Sequence, residues 1–314
     1  MHSKTTTKSL MLVFIMVAST MLGIVSIPSA MAVNETTAGT VTGTETWTGT
    51  MNLVGDVEVA EGSKLIINSG TTINIPYGKF IDVRGAICIG DSNCGASAGT
   101  SKARFIWQTP TDYTKLGRCY SNQTGSPLNN GDTACGSGMI IRNTIDEAIT
   151  SIRNAHFEKA YGYPIYIQTL QSLQYGVLVF DGSRVTASGL SFTDINTSNV
   201  LAVNGAAPTL DNSEFTLGID GRGYDAAAVR AYSAGIGIQS TFNVFNSQFS
   251  GDASKDCGTQ GGGRSLIFVE DSYISMDNLD IGSNTYGVFL KRTSGWLTNT
   301  SIVTKGTGKY GSRV

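Results

Sequence analysis

An Asn followed three positions later by Phe or Ile returns along the second half of the chain in a fixed frame. It occurs as Ile152-Arg153-Asn154-Ala155-His156-Phe157, Leu210-Asp211-Asn212-Ser213-Glu214-Phe215, Phe245-Asn246-Ser247-Gln248-Phe249, Met276-Asp277-Asn278-Leu279-Asp280-Ile281 and Leu297-Thr298-Asn299-Thr300-Ser301-Ile302. A sixth copy, Ala187-Ser188-Gly189-Leu190-Ser191-Phe192, has Gly in the Asn place. The steps between these positions are 35, 23, 34, 32 and 21 residues. That is a unit of about 22 residues, in places lengthened by about ten, and a self-similar period in this range signals a solenoid.

After each copy comes a short apolar alternation, as in Pro164-Ile165-Tyr166-Ile167, Val200-Leu201-Ala202-Val203, Ala228-Val229-Arg230-Ala231, Leu266-Ile267-Phe268-Val269 and Gly287-Val288-Phe289-Leu290. Period-2 runs of this length read as short strands. Each repeat is then strand, turn, strand, tight bend at Asn, strand. With repeats stacked about 4.8 Å apart, every strand pairs with its equivalent above and below. The Asn side chains are expected to stack inside the coil as a buried column, exchanging amide hydrogen bonds. Asn carries a donor and an acceptor on a short stem and tolerates left-handed backbone, and Gly189 fits the same bend.

On these residues the chain resembles the right-handed parallel β-helix of the pectate-lyase-like fold, an all-β solenoid with an internal asparagine ladder and extruded loops. A β-sandwich with Asn in its turns is the alternative, and five Asn in one frame (Asn154, Asn212, Asn246, Asn278, Asn299) favour the solenoid. The apolar–glycine–apolar cadence from Trp47 through Ile75, continued by Phe80-Ile81-Asp82-Val83-Arg84 and Ala86-Ile87-Cys88-Ile89, is similar to the opening coils of secreted β-helix surface proteins of prokaryotes.

Residues 1–32 read as a signal peptide rather than as fold. Lys4 and Lys8 precede an apolar stretch over 10–27, then Pro28 and Ala30-Met31-Ala32. An uncleaved membrane anchor is the alternative. Residues 33–46, rich in Thr and Gly, read as a flexible lead-in, and 47–314 as the β-helix. The last repeat, 296–305, shows no terminal cap, which points to a longer protein. A net charge of −2, with no basic run beyond the N-terminus, disfavours nucleic acid as a partner. Sequons at Asn34, Asn122, Asn196 and Asn299 suit an exported chain, and Asn299 as a ladder member is expected to be buried and unmodified.

An exported chain can oxidise its cysteines. Cys88 and Cys94, and Cys119 and Cys135, are expected to form two local disulfides, leaving Cys257 over. With no CxxC and no His/Cys cluster, a zinc site is a poor reading. His156, inside a repeat, reads as packed or solvent-facing rather than catalytic.

Insertions interrupt the repeats at 109–138, 169–182, 216–227 and 250–264. The last two leave the same corner of neighbouring coils and should flank one groove. With Ile165/Ile167, Leu201/Val203, Val229/Ala231, Ile267/Val269 and Val288/Leu290 facing inward, the outward residues form two stripes. One is Tyr166, Ala202, Arg230, Phe268, Phe289; the other is Gln168, Asn204, Tyr232, Glu270, Lys291. Aromatic faces beside charged groups suit a sugar chain, so Tyr166, Arg230, Tyr232, Phe268, Glu270, Phe289 and Lys291 are the candidate glycan contacts. The competing reading is a packing surface beneath the long loops, the commoner role of aromatics on a sheet.

In the enzymes the fold resembles, this face carries the active site. That implies either a carboxylate pair, for which Asp225 and Glu270 with Arg230 are the candidates, or Ca²⁺ held by Asp220, Asp225 and Asp256. No catalytic signature of those families is present, and no other cofactor is expected. The sequence therefore reads as an exported segment of a secreted or cell-surface protein, a stalk or adhesin with extracellular polysaccharide or surface glycans as partners. Membrane contact is expected only through the N-terminal segment. The alternative is a polysaccharide lyase or glycoside hydrolase.

Overall fold

The computed structural model describes residues 35–91, 94, 99–108, 137–142, 150–168, 170–195, 197–217, 227–237, 240–251, 265–283, 286–304 and 312–313. All of them lie in the unit Ala32–Val314. Residues 1–32, read as a signal peptide or anchor, Cys119 and Cys135, expected to pair, Cys257, and Asn34, Asn122 and Asn196 lie outside the described residues, as do Asp220, Asp225 and Asp256.

The chain is an all-β parallel β-helix. Among the described residues there are strands, turns and bends and no helix. Nine strands, from Thr44–Trp47 through Thr209–Asp211 to Ser294–Thr298, stack in parallel as the first face. The second face runs from Thr72–Ile75 through Ala103–Trp107, Ala155–Glu158, Ser191–Thr193 and Glu214–Leu217 to Ser301–Thr304. The third runs from Ile81–Val83 through Met139–Arg142, Ser172–Asp181, Ser198–Val203, Val229–Tyr232 and Ser265–Glu270 to Tyr286–Lys291. The long strand Thr50–Val59 crosses both: Thr50–Asn52 pairs with the second face and Val57–Val59 with the third.

The 33–46 stretch is not a flexible lead-in where it is described. Glu35–Val41 and Thr44–Trp47 are strands that pair along Thr50–Val59 and Lys64–Ile67. Thr has high strand propensity, and a stacked coil offers its backbone a ready partner even where apolar residues are few.

Apolar residues in register from coil to coil enter the core at each face. On the first face these are Trp47, Ile67, Ile89, Ile152, Ala187, Leu210, Val244 and Met276, none more than 1% exposed. On the second face the Phe of the repeat points inward. Phe105, Phe157, Phe192, Phe215 and Phe249 form a continuous stack with centroids 5.0, 5.2, 5.6 and 4.8 Å apart and rings within 12–21° of parallel. The coil spacing places the rings at stacking distance.

The Asn positions stack as expected, but on the other side of the wall. Asn154, Asn212, Asn246, Asn278 and Asn299 all have left-handed φ, 45–54°, and Gly189 has 65°. Each of the first four donates its backbone N–H to the next coil, as from Asn246 to the Asp277 carbonyl at 3.1 Å. Their side chains, however, are exposed at 212, 246, 278 and 299 and half-buried at 154. Asn278 Nδ2 donates to Asn246 Oδ1 at 2.9 Å, and Asn246 Nδ2 to Asp211 Oδ1 at 2.7 Å, on the outer surface. The ladder is external, and Asn299 is exposed rather than buried.

The inward place falls to the next residue, because a left-handed residue turns its own side chain out of the coil and the following one in. Ser213 and Ser247 are 2% and 1% exposed. Ser247 Oγ accepts from Ser213 N at 3.2 Å, and Ser213 Oγ accepts from Leu190 N at 3.1 Å. Each hydroxyl donates back to a carbonyl of its own coil, Phe245 O at 2.6 Å and Asp211 O at 2.8 Å. At the bend from third to first face Asp271 is left-handed and Ser272 turns in, its Oγ accepting from Ala234 N at 2.9 Å.

The segment around 165–182 reverses its expected roles. Ser172–Asp181 is the coil strand: Leu178–Asp181 pairs with Met139–Arg142 below and Val200–Val203 above. Tyr163–Ile167 is the insertion, an antiparallel arm hydrogen-bonded to the start of that strand. Its Ile167 joins Ile140, Val179, Leu201, Val203 and Tyr232 in an outer cluster, with Tyr163, Ile165 and Leu170 packed against it. Leu201 and Val203 therefore face outward under this arm. Ala202, in register with inward Ala231, faces the core, one residue off the expected assignment.

Candidate functional site

The third face gathers most of the expected site residues. Arg230, Phe268 and Phe289 lie in one row across adjacent coils, and Tyr232, Glu270 and Lys291 in the row beside it. Four positions expected in these rows are replaced: Leu201 and Val203 stand where Ala202 and Asn204 were placed, Tyr166 lies on the antiparallel arm, 45% exposed, and Gln168 follows that arm. Asn204 is a left-handed bend residue donating to Asp181 Oδ1 at 2.7 Å.

Phe268 and Phe289 are half-exposed and stack almost flat, 4.9 Å apart and 10° from parallel. Tyr232 leans on Phe268 at 5.7 Å. The Arg230 guanidinium sits 4.8 Å from the Phe268 centroid and 5.1 Å from that of Tyr232, and its Nε donates to the Tyr232 hydroxyl at 2.6 Å. Arg230, Tyr232 and Glu270 are only 4–5% exposed, so they are framework beneath the surface rather than open contacts. Packing explains this: an Arg between two rings keeps its charge in a polarisable environment while the rings shed water.

Glu270 Oε1 is ion-paired with Lys291 Nζ at 2.8 Å and Arg292 Nη2 at 2.5 Å. Arg292 also forks onto Asp271 at 2.6 and 2.8 Å, and that hydrogen-bonded pairing holds the Asp271 carboxyl below its ordinary range. A carboxylate this committed is poorly placed as a glycosidase acid or base. Its expected partner Asp225 lies outside the described residues. Among the described residues no group of three or more His, Cys, Asp or Glu is arranged to hold a metal ion.

Further along the same face Arg142 bridges Asp82 at 3.1 Å and Asp181 at 2.9 Å and donates to the Tyr163 hydroxyl at 2.9 Å. It ties the antiparallel arm to the coil. Cys88 and Cys94 form a disulfide with Cα atoms 5.0 Å apart, compatible with an oxidising compartment.

A second constellation, on the second face, was not anticipated. Lys102 Nζ donates to Ser191 Oγ at 2.8 Å, and His156 Nδ1 lies 2.8 Å from the same oxygen. His156 Nε2 is 3.1 Å from Thr193 Oγ1. Strand register builds it: His156 pairs with Ser191, and Glu158 with Thr193. Partial burial lowers the His156 pKa, the nearby Glu158 opposes that, and Arg104 and Lys102 reinforce it. In the sequence only the frame itself could have shown this, since His156 and Ser191 each stand one residue before the Phe of successive copies.

No protein-family model matches the chain, and no curated protein or solved structure matches it.

Proposed function

We propose that the chain is an exported β-helical stalk or adhesin that holds glycan against the third face, with Phe268 and Phe289 as the stacking platform and Lys291 at its rim. The observation that carries this reading is the nearly parallel, stacked and half-exposed ring pair one coil apart. Stacked at one coil spacing, the two rings leave an apolar ridge two coils long, against which the C–H groups of a sugar ring and its neighbour can rest. Arg230, Tyr232 and Glu270 act beneath it, fixing the rings rather than meeting the sugar. Support for export comes from the charged, apolar and Ala-x-Ala order of the first 32 residues and from the Cys88–Cys94 disulfide. Densely paired polar groups such as those around Arg142 and Arg292 suit a stiff element.

The test is a glycan array probed with the wild-type chain and with Phe268→Ala and Phe289→Ala. Each ring is expected to contribute about 0.5–1.5 kcal/mol, so each variant should weaken binding roughly 2- to 12-fold. Binding unchanged in both variants, or absent in the wild type, would refute the platform.

A further inference from the structure

Lys102, His156, Ser191 and Thr193 come from three consecutive coils of the second face and form one hydrogen-bonded chain. Its proton order follows from the chemistry of each group. A lysine ammonium only donates, so Ser191 Oγ is the acceptor at the first link. The Ser191 proton has His156 Nδ1 as its acceptor among these contacts, which puts the imidazole proton on Nε2, where it donates to Thr193 Oγ1. The chain therefore runs Lys102 to Ser191 to His156 to Thr193. A hydroxyl backed by a base, with that base oriented by a third group, is the constellation of an activated nucleophile.

We propose that Ser191 is a nucleophile toward carboxylic esters, with His156 as its general base. Lys102 touches the reacting oxygen, and Thr193 is a positioning residue. The Ser191 oxygen bonds to the acyl carbon while its proton passes to His156 Nδ1, and the Lys102 ammonium stands beside the oxygens where negative charge develops. The ester C–O bond then breaks, and the alcohol leaves with the proton held by His156. Water attacks the acyl-serine, gives a proton to His156, and the freed Ser191 oxygen takes it back as the acid departs. An ester fits better than an amide, because an alcohol departs more readily than an amine when the acid is one imidazolium. Ser191 is 8% exposed while His156 is half-buried and Thr193 exposed. The ester must approach over those two, with the flexible Lys102 ammonium turning from Ser191 Oγ toward the ester carbonyl oxygen. The lowered pKa of His156 keeps the base neutral at pH 7. Nothing in this proposal depends on the third face.

The test is labelling of the full chain by a fluorophosphonate, with the adduct located by peptide mapping. One adduct is expected, on Ser191, with fluoride displaced and the serine proton lost. Ser191→Ala should abolish it, and His156→Gln should slow it about 100-fold or more, the usual scale of general-base assistance. The wild-type rate should fall as pH drops below 6.5, the ordinary histidine value. Thr193→Val should move that pH midpoint, and Lys102→Arg should restore most of what Lys102→Met loses, neither being expected of residues that only hold the fold. No adduct, an adduct elsewhere, or equal labelling of His156→Gln and wild type would overturn the proposal. The wild-type map is decisive even if a variant folds poorly.

Discussion

Exchanging residues at the bend of Asn246 and Ser247 distinguishes the external asparagine ladder from an internal one. Asn246 has φ 49° and an exposed side chain, whereas Ser247 is 1% exposed and accepts from the N–H of Ser213, itself 2% exposed. Left-handed backbone costs an ordinary residue about 1–2 kcal/mol and costs Gly nothing. Asn246→Ala should therefore destabilise by about 1–2 kcal/mol. Asn246→Gly keeps the bend and gives up only two solvent-exposed amide bonds, so a loss of about 0.5 kcal/mol is expected. Ser247→Ala leaves the Ser213 N–H without its acceptor inside the wall, which costs about 1–3 kcal/mol. Urea unfolding measures all three as midpoint shifts at constant m. An internal Asn would make Gly at least as damaging as Ala and leave Ser247→Ala nearly neutral. That ordering would refute the assignment of which residue faces the core.

Phe192 is 1% exposed between Phe157 and Phe215, so Phe192→Ala should cost about 3–5 kcal/mol and Phe192→Leu distinctly less, in the same unfolding assay. A loss below about 1 kcal/mol for the Ala variant would mean that the stack is not a packed core. For His156 the folded pKa lies below the unfolded value of 6.5, so between the two the unfolded chain binds more protons. Stability should rise with pH through that window, level off above 6.5, and lose this contribution below the depressed value. The difference between wild type and His156→Gln should show that slope, and a slope of opposite sign would contradict the burial that sets it.

How much of this fold was legible depends on what a period of two can count. The frame that repeats Asn154, Gly189, Asn212, Asn246, Asn278 and Asn299 located the bend of one corner in six coils, and the left-handed backbone there follows from the residue types. The side facing the core was misread because alternation does not carry through a left-handed residue. A corrective signal was present in part of the repeats: Ser213 and Ser247 follow Asn, Ser272 follows Asp271, and Ser183 follows Gly182, so a small hydroxyl stands after the bend residue in two coils at each of two corners. A residue that must fit inside a tight turn and satisfy the next coil's N–H is better served by Ser than by the longer Asn.

The third face was harder for the opposite reason. Val177-Leu178-Val179-Phe180 and Val200-Leu201-Ala202-Val203 are buried on both sides, the inner side by the core and the outer by the cluster under Tyr163–Ile167. Strands buried on both faces read as continuous apolar runs and show no alternation. The half-exposed arm around Ile165 and Ile167 does alternate, and so was chosen as the coil strand in place of the one it covers. The same covering bears on the candidate site residues, which share one face but differ in exposure. Arg230, Tyr232 and Glu270 sit at outward positions, which alternation gives correctly, yet burial makes them support. Among the candidate contacts on the coil strands, Phe268, Phe289 and Lys291 keep surface enough to meet a ligand, and Tyr166 does so on the antiparallel arm. Which outward residues stay open depends on what packs over them, a contact distant in sequence that no local pattern encodes.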